Sequence, residues 1–355
     1  MFNIISNMNL RWSLTFFLIA LTLLSFIGCR QSALQKAIPV THEDQYHSEL
    51  PIKMASVDMD QIAGSVKKLF CIVEYDVYHF DESDKMNREK LSQINLKRSN
   101  ARRTAFNESV HGTATVLQNN RYGMVLLTCA HIVSNPDTVI SFYASNSREG
   151  IIESIAIKKT QMNFIRDNET NILLRILAID QKPDVAFLGS DSPSDAADVQ
   201  AFRYLVGNAN ALHWGTPVYL MGFPGGHQML TRAVVGNPNP STSGDFIVDA
   251  TFNPGGSGSL ILALSENDQL FELVGIAKSA SATFSNIIRP EKESHQETYN
   301  PNLPYEGDLF VTRVKNINYG VTFATSINTI RDFYIQHRKS LTREGYNLDE
   351  FFSLK

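Results

Sequence analysis

Hydrophobic and polar positions alternate in short bursts along most of this chain. From Gly112 onward, runs rich in Val, Ile, Leu and Phe are broken every few residues by Gly, Asn, Pro or Asp. Such runs predict strands. They fall at 112–117, 123–128, 138–143, 151–158, 171–179, 184–188, 217–221, 230–235, 245–249, 260–264, 271–277 and 321–324, and an earlier one lies around Leu69–Glu74. No long helical period alternates with them, so the pattern points to barrels or sandwiches rather than a parallel sheet crossed by helices. A short helical turn is expected over Asp58–Val66. Only the carboxyl end carries a firm helix signal: Ser326 can cap it, and Ile327, Ile330, Phe333 and Tyr334 recur at helical spacing.

Two stretches interrupt the β pattern. Residues 76–110 are rich in Lys, Arg, Asp, Glu and Asn and predict a surface insertion, partly helical or disordered. Residues 281–318 carry Pro290, Pro301 and Pro304 and predict a second, irregular insertion able to overhang a site.

The amino terminus has a different character. Arg11 is its only charged residue before Arg30, and Trp12–Gly28 is almost wholly apolar. The run is at the short limit for a bilayer span, which takes about 20 residues. It predicts a secretory signal over residues 1–28. Ser25-Phe-Ile-Gly-Cys29 resembles a bacterial lipobox, which implies that Cys29 is lipidated and becomes the first residue. The other reading is an uncleaved transmembrane anchor. Either one exports the remainder, and residues 29–60 then form a tether. An exported, membrane-tethered protein of the bacterial cell envelope, lipid-anchored or periplasmic, is therefore expected. In that compartment Cys71 and Cys129 can pair, or remain buried thiols; both readings stay open.

Composition adds limits. With 355 residues, 43% hydrophobic and 19% charged, the chain can bury a large core. A net charge of −4 gives no basic excess, so nucleic acid is not expected as a partner.

Three positions carry candidate chemistry. His131 ends the apolar run Met124-Val-Leu-Leu-Thr-Cys-Ala-His131. Asp184 opens the run Asp184-Val-Ala-Phe-Leu188, where an unpaired carboxylate is costly and a histidine N–H would serve it. Ser257 sits in the glycine turn Gly255-Gly256-Ser257-Gly258, where the backbone can turn its N–H groups toward a shared space. Taken singly, each reads at least as well as a structural residue. Together, each at a strand end, they form the His–Asp–Ser order of a nucleophilic triad.

On these residues the sequence resembles the trypsin-like peptidases, nearest the bacterial HtrA-like (Deg) branch. Gly112-Thr-Ala-Thr-Val-Leu117 resembles the first-barrel strand. Leu127-Thr-Cys-Ala-His-Ile-Val133, Asp184–Leu188 and Asn253-Pro-Gly-Gly-Ser-Gly258 resemble the histidine, aspartate and nucleophile motifs. Gly215–Gly225, Leu273–Ala277 and Val321–Asn328 match the opening of the second barrel, the strand after the nucleophile and the entry to a closing helix.

The resemblance implies an all-β fold: two six-stranded antiparallel barrels, chymotrypsin-like, with a C-terminal helix. The first barrel would cover 61–200 and the second 201–338, with 339–355 as a tail and no PDZ-like domain. It implies a serine endopeptidase acting on proteins or peptides, with Ser257 as nucleophile, His131 as base and Asp184 as its orienting acid. The N–H groups of Gly255 and Ser257 would form the oxyanion hole. Thr251, Lys278, Ser279 and Ala280 would approach the substrate pocket, favouring a small or medium apolar side chain or, through Lys278, an acidic one. No metal or cofactor is required, and His213 and His227 show no ligand spacing.

The chain departs from the family pattern at Gly256, where Asn or Asp is usual, and at Ser259, where glycine is usual. Gly256 is expected to loosen the turn. A catalytically inactive relative that binds peptides or a partner protein is the alternative reading. A β-barrel binder with chance motifs is a third.

Overall fold

The computed structural model describes residues 55–143, 150–168, 170–190, 199–240, 246–265, 270–290 and 309–353. The signal at 1–28, Cys29 and the tether up to residue 54 lie outside the described residues, as does 291–308 of the second interruption. Among the described residues no helix is long and apolar enough to cross a membrane.

Helix α1 (Ala55–Ser65) leads into the first barrel. Its strands are β1 (Val66–His79), β2 (Arg102–Asn120), β3 (Gly123–Thr128), β4 (Thr138–Phe142), β5 (Ile152–Asp167), β6 (Thr170–Asp180) and β7 (Val185–Ser190). The sheet order β1-β2-β3-β7-β6-β5 closes on itself through β1–β5 pairing, and β4 adds to the outside of β5. Six antiparallel strands thus make a closed barrel. Short helices α2 (Arg88–Gln93) and α3 (Ala130–Val133) interrupt it.

The second barrel takes β9 (Pro217–Gly222), β10 (Met229–Asn237), β11 (Phe246–Val248), β12 (Leu260–Leu264), β13 (Phe271–Pro290) and β14 (Leu309–Ser326). The order β12-β9-β10-β11-β14-β13 closes through β12–β13, and the two-residue β8 (Leu205–Val206) lies parallel beside β13. Closure removes the unpaired edges that an open sheet would expose.

Helix α4 (Ile327–Arg343) follows at once, capped by the Ser326 side chain, which accepts the Thr329 N–H at 3.1 Å. Its buried stripe, Ile327, Ile330, Phe333 and Tyr334, is the one the spacing predicts. Phe333 meets Phe187 of the first barrel at 5.1 Å between ring centroids. The helix therefore seals the outer face of β7, and this explains why β7 is buried along its whole length rather than on alternate residues. One hydrophobic cluster runs through both barrels and the helix.

The interruption at 76–110 keeps both of its ends in the sheet, while its middle is partly helical as expected, with α2 at Arg88–Gln93. β1 and β2 stay paired from Val66↔Thr115 to His79↔Arg102, as one long ribbon. Cys71, Val73, Tyr75 and Val77 alternate inward along it and form a small core of their own. Beyond them Tyr78, Phe80, Ile152 and Ile155 gather Met86, Leu91, Ile94 and Leu96 into a second one. The charged residues that suggested a loop stand on the opposite face, where Glu74 pairs with Lys159 at 2.8 Å and Asp76 pairs with Arg103. The described part of 281–318 is likewise a ribbon, with β13 and β14 paired out to Pro290↔Leu309.

The carboxyl segment is also part of the fold. Tyr346, Leu348 and Phe352 are buried. The Tyr334 hydroxyl donates to Asp349 at 2.8 Å and accepts the buried Leu348 N–H at 3.0 Å, while Arg338 binds the same carboxylate at 2.7 Å. Burial and the neighbouring Asp349 push the Tyr334 phenol up to about 12. The Arg338 guanidinium holds the Asp349 carboxyl below its usual range. Tyr334→Phe strands the Leu348 N–H without an acceptor, which costs about 1–3 kcal/mol. Denaturant unfolding should show that loss, with the Ser257 region unaffected.

Candidate active site

The first barrel delivers two of the three candidate residues. β3 is apolar throughout and ends at Thr128; the chain then turns into α3, whose second residue is His131. Asp184 ends the β6–β7 turn with a left-handed φ of 60°, a conformation Asp tolerates better than most side chains. The carbonyl of Pro183, just before it, is held by the Thr325 hydroxyl at 2.8 Å, so β14 of the second barrel fixes this turn.

Asp184 meets His131 twice. One carboxylate oxygen accepts the His131 backbone N–H at 2.9 Å, and the other faces imidazole Nδ1 at 2.7 Å. An ionised carboxylate can only accept, so Nδ1 carries hydrogen, and in the neutral ring Nε2 then keeps its lone pair. Nε2 lies 2.9 Å from Ser257 Oγ, the geometry in which the hydroxyl donates to the ring. The Asp184 side chain is 15% exposed and that of His131 is 48% exposed. The carboxylate is thus shielded while the imidazole opens to solvent.

Ser257 comes from the loop between β11 and β12 and is 9% exposed. Gly255 and Gly258 on either side have φ of 92° and 85°. A Cβ at Gly258 would stand 2.0 Å from the Thr113 carbonyl oxygen, so no other residue fits without moving the first barrel. The contact is close because Thr113 of β2 grips the loop. Its N–H donates to the Ser257 carbonyl at 2.8 Å and its hydroxyl to the Gly255 carbonyl at 2.9 Å. The Thr113 carbonyl in turn accepts the Thr128 hydroxyl at 2.7 Å.

The turn is not loose at Gly256. Its N–H donates to Asn253 at 2.9 Å, and its carbonyl accepts both the N–H and the hydroxyl of Ser259, at 3.0 and 2.7 Å. The N–H groups of Gly255 and Ser257 have no acceptor among the described residues. They are the pair the sequence singles out for holding a developing oxyanion.

Of the four residues expected near the substrate pocket, Lys278 reaches the serine. A bulge in β13 between Ala277 and Ser279 aims its carbonyl at Ser257 Oγ, 3.3 Å away. Ser279 and Ala280 follow on the same strand, half-buried, while Thr251 is exposed in the segment leading to the serine. Sequence reasoning passed over Thr113, although it lies inside a strand motif already recognised. Its role depends on a partner 142 residues away, and no local pattern signals that.

Cys129 Sγ, His131 and Asp184 place potential ligand atoms within 4.8 Å of one another. The thiol is a poor metal ligand here. Burial pushes it well above its ordinary range, and it donates to the Ala277 carbonyl at 3.5 Å. Histidine and carboxylate are already engaged with each other.

Residues 112–276 match the family model of the trypsin-like peptidase domain. The two-barrel architecture is the trypsin-like fold. No match is found among curated protein sequences. Among solved structures, the chain is similar to the active form of the Rv3671c protease from M. tuberculosis, at 12% identity and a TM-score of 0.40. That alignment covers 84% of this chain and 92% of the other.

Cys71 and Cys129 are free and buried, and the pairing left open by the sequence is not made. Burial raises the Cys71 thiol as well, with the Asn135 amide at 3.2 Å opposing the rise. Both should therefore resist an aromatic disulfide reagent in the native protein and react once it is unfolded. A disulfide between them would leave neither titratable after unfolding.

Proposed function

We propose that the protein is an exported, membrane-tethered serine endopeptidase. The observation that carries the catalytic part is the unbroken hydrogen-bonded line Asp184–His131–Ser257, with the Gly255 and Ser257 N–H groups having no acceptor among the described residues. The match of residues 112–276 to the trypsin-like peptidase domain supports the same reading.

In this reaction Ser257 Oγ attacks a peptide carbonyl as its proton passes to His131 Nε2. The imidazolium is stabilised by the Asp184 carboxylate 2.7 Å from Nδ1. The carbonyl oxygen gains negative charge and is taken by the Gly255 and Ser257 N–H groups, each such donor contributing about 3 kcal/mol in comparable sites. His131 then gives its proton to the leaving amine, and the peptide C–N bond breaks to leave an acyl group on Ser257. Water repeats the sequence: His131 removes its proton, the ester is cleaved, and Ser257 recovers its hydrogen. The substrate is a protein or peptide segment lying beside β13, and no redox or cofactor step is needed.

The arrangement of exposure favours turnover over mere binding. A peptide-binding relative has no use for a carboxylate shielded behind an imidazole, nor for a serine whose hydroxyl points at that imidazole. The features that kept an inactive reading open, Gly256 and Ser259, lie in a turn closed by hydrogen bonds.

A fluorophosphonate probe should label Ser257 in the wild-type protein and not in Ser257→Ala. A wild type left unlabelled while a known serine protease reacts would overturn the enzymatic reading. Asp184→Asn keeps the shape but sets the wrong tautomer, and kcat should drop on the order of 10⁴-fold.

The tether rests on the apolar run Trp12–Gly28 and the lipobox-like Ser25–Cys29. Two acyl chains on Cys29 hold a protein to a bilayer far more firmly than one. Mass spectrometry of the mature protein should find acylated Cys29 as its first residue. An unmodified residue upstream of Cys29 would exclude lipidation at that cysteine.

A further inference from the structure

Oxyanion binding needs two N–H groups aimed at one point. A peptide unit is planar and trans, so its carbonyl and N–H point in opposite directions. Whatever holds the oxygen therefore aims the hydrogen.

Both candidate N–H groups belong to peptide units held in this way. The Gly255 N–H lies in the unit it shares with Pro254, whose oxygen accepts the Gly225 N–H at 2.8 Å. The Ser257 N–H lies in the unit it shares with Gly256. There the oxygen accepts the Ser259 hydroxyl at 2.7 Å and the Ser259 N–H at 3.0 Å. The unit between them is fixed at both ends, by the Thr113 hydroxyl at 2.9 Å and by the Asn253 carbonyl at 2.9 Å.

Ser259 is 3% exposed, so its hydroxyl is shielded from bulk solvent. The room it occupies exists because residue 222 is glycine: a Cβ there would stand 1.8 Å from Ser259 Oγ. Gly256 has no side chain with which to anchor its own peptide unit. The Ser259 hydroxyl, three positions along the chain from Gly256, supplies that anchor from outside the turn.

We propose that Ser259 is a positioning residue: its hydroxyl clamps the Gly256 carbonyl and so aims the Ser257 N–H at the developing oxyanion. The proposal rests on Ser257 being the nucleophile. It also separates Ser259 from an ordinary buried serine. A hydroxyl that only supports the fold changes stability when removed; one that aims an oxyanion donor changes the rate at the transition state and leaves ground-state binding alone.

The test compares the full-length wild type with Ser259→Ala on a peptide substrate, together with the rate of fluorophosphonate labelling and the thermal midpoint. In the folded alanine variant kcat should fall about tenfold or more, with KM within about twofold of wild type, and labelling should slow in step. A kcat within about twofold of wild type overturns the clamp, and so does a loss carried wholly by KM. If the alanine variant does not fold, Ser259→Cys puts a weaker donor in the same place and should show the same split; wild-type turnover there overturns the clamp. A wild type that neither labels nor cleaves defeats the catalytic reading itself, whereas a wild type and an alanine variant that label equally fast defeat only the role of Ser259.

Discussion

The grip of Thr113 on the Ser257 loop is the contact on which the rest depends. His131 and Asp184 belong to the first barrel and Ser257 to the second, so their alignment is a property of how the barrels dock. Thr113 sets that docking at the serine itself, through its N–H on the Ser257 carbonyl and its hydroxyl on the Gly255 carbonyl. The Phe223 N–H returns a bond to the same hydroxyl at 2.9 Å. Thr113 and Thr128 are wholly buried, and polar groups without solvent must bond to each other. Here the Thr113 bonds run across the barrel boundary, so polar satisfaction and the alignment of Asp184, His131 and Ser257 are met by the same atoms.

The helix adds a second tie. α4 leaves β14 of the second barrel and lays Phe333 and Tyr334 on Phe187 of the first. β14 itself reaches the Asp184 turn through Thr325. Asp184 is thus held from the second barrel while it orients a histidine of the first. The hydroxyl of Tyr334 then carries the constraint on to the carboxyl segment, whose apolar side chains close the far side of the core.

Much of this was legible in the sequence, for identifiable reasons. β3 and β12 fall on the stretches their continuous apolar runs mark, because strands buried on both faces leave no ambiguity about where they end. The α4 stripe and its Ser326 cap follow from spacing alone. The first ribbon was hidden by its charges, the second by its prolines. Glu74 and Asp76 alternate with Val73, Tyr75 and Val77, and counted as composition they read as loop; counted by period they continue β1. β8 has two residues, too few for any period. At the site, residue types in order pointed to His131, Asp184 and Ser257, but Thr113 and the Lys278 carbonyl could not be found that way. One acts through a contact remote in sequence and the other through a backbone atom that every residue possesses.

Rigidity and exposure are divided across the site. Behind the serine, Gly258, Ser259, Thr113, Thr128 and Cys129 are all buried, with glycines where a Cβ would strike backbone. In front, the imidazole is open and the β13 edge is half-buried. A site of this kind can hold its reacting atoms fixed while a substrate chain comes and goes, because the groups that set direction are not those the substrate touches. The departures from the family pattern fit this division. Gly256 gives up a side chain within the turn, and Ser259 introduces a hydroxyl behind it that holds the same peptide unit. Direction is kept by a buried group, out of reach of whatever occupies the cleft.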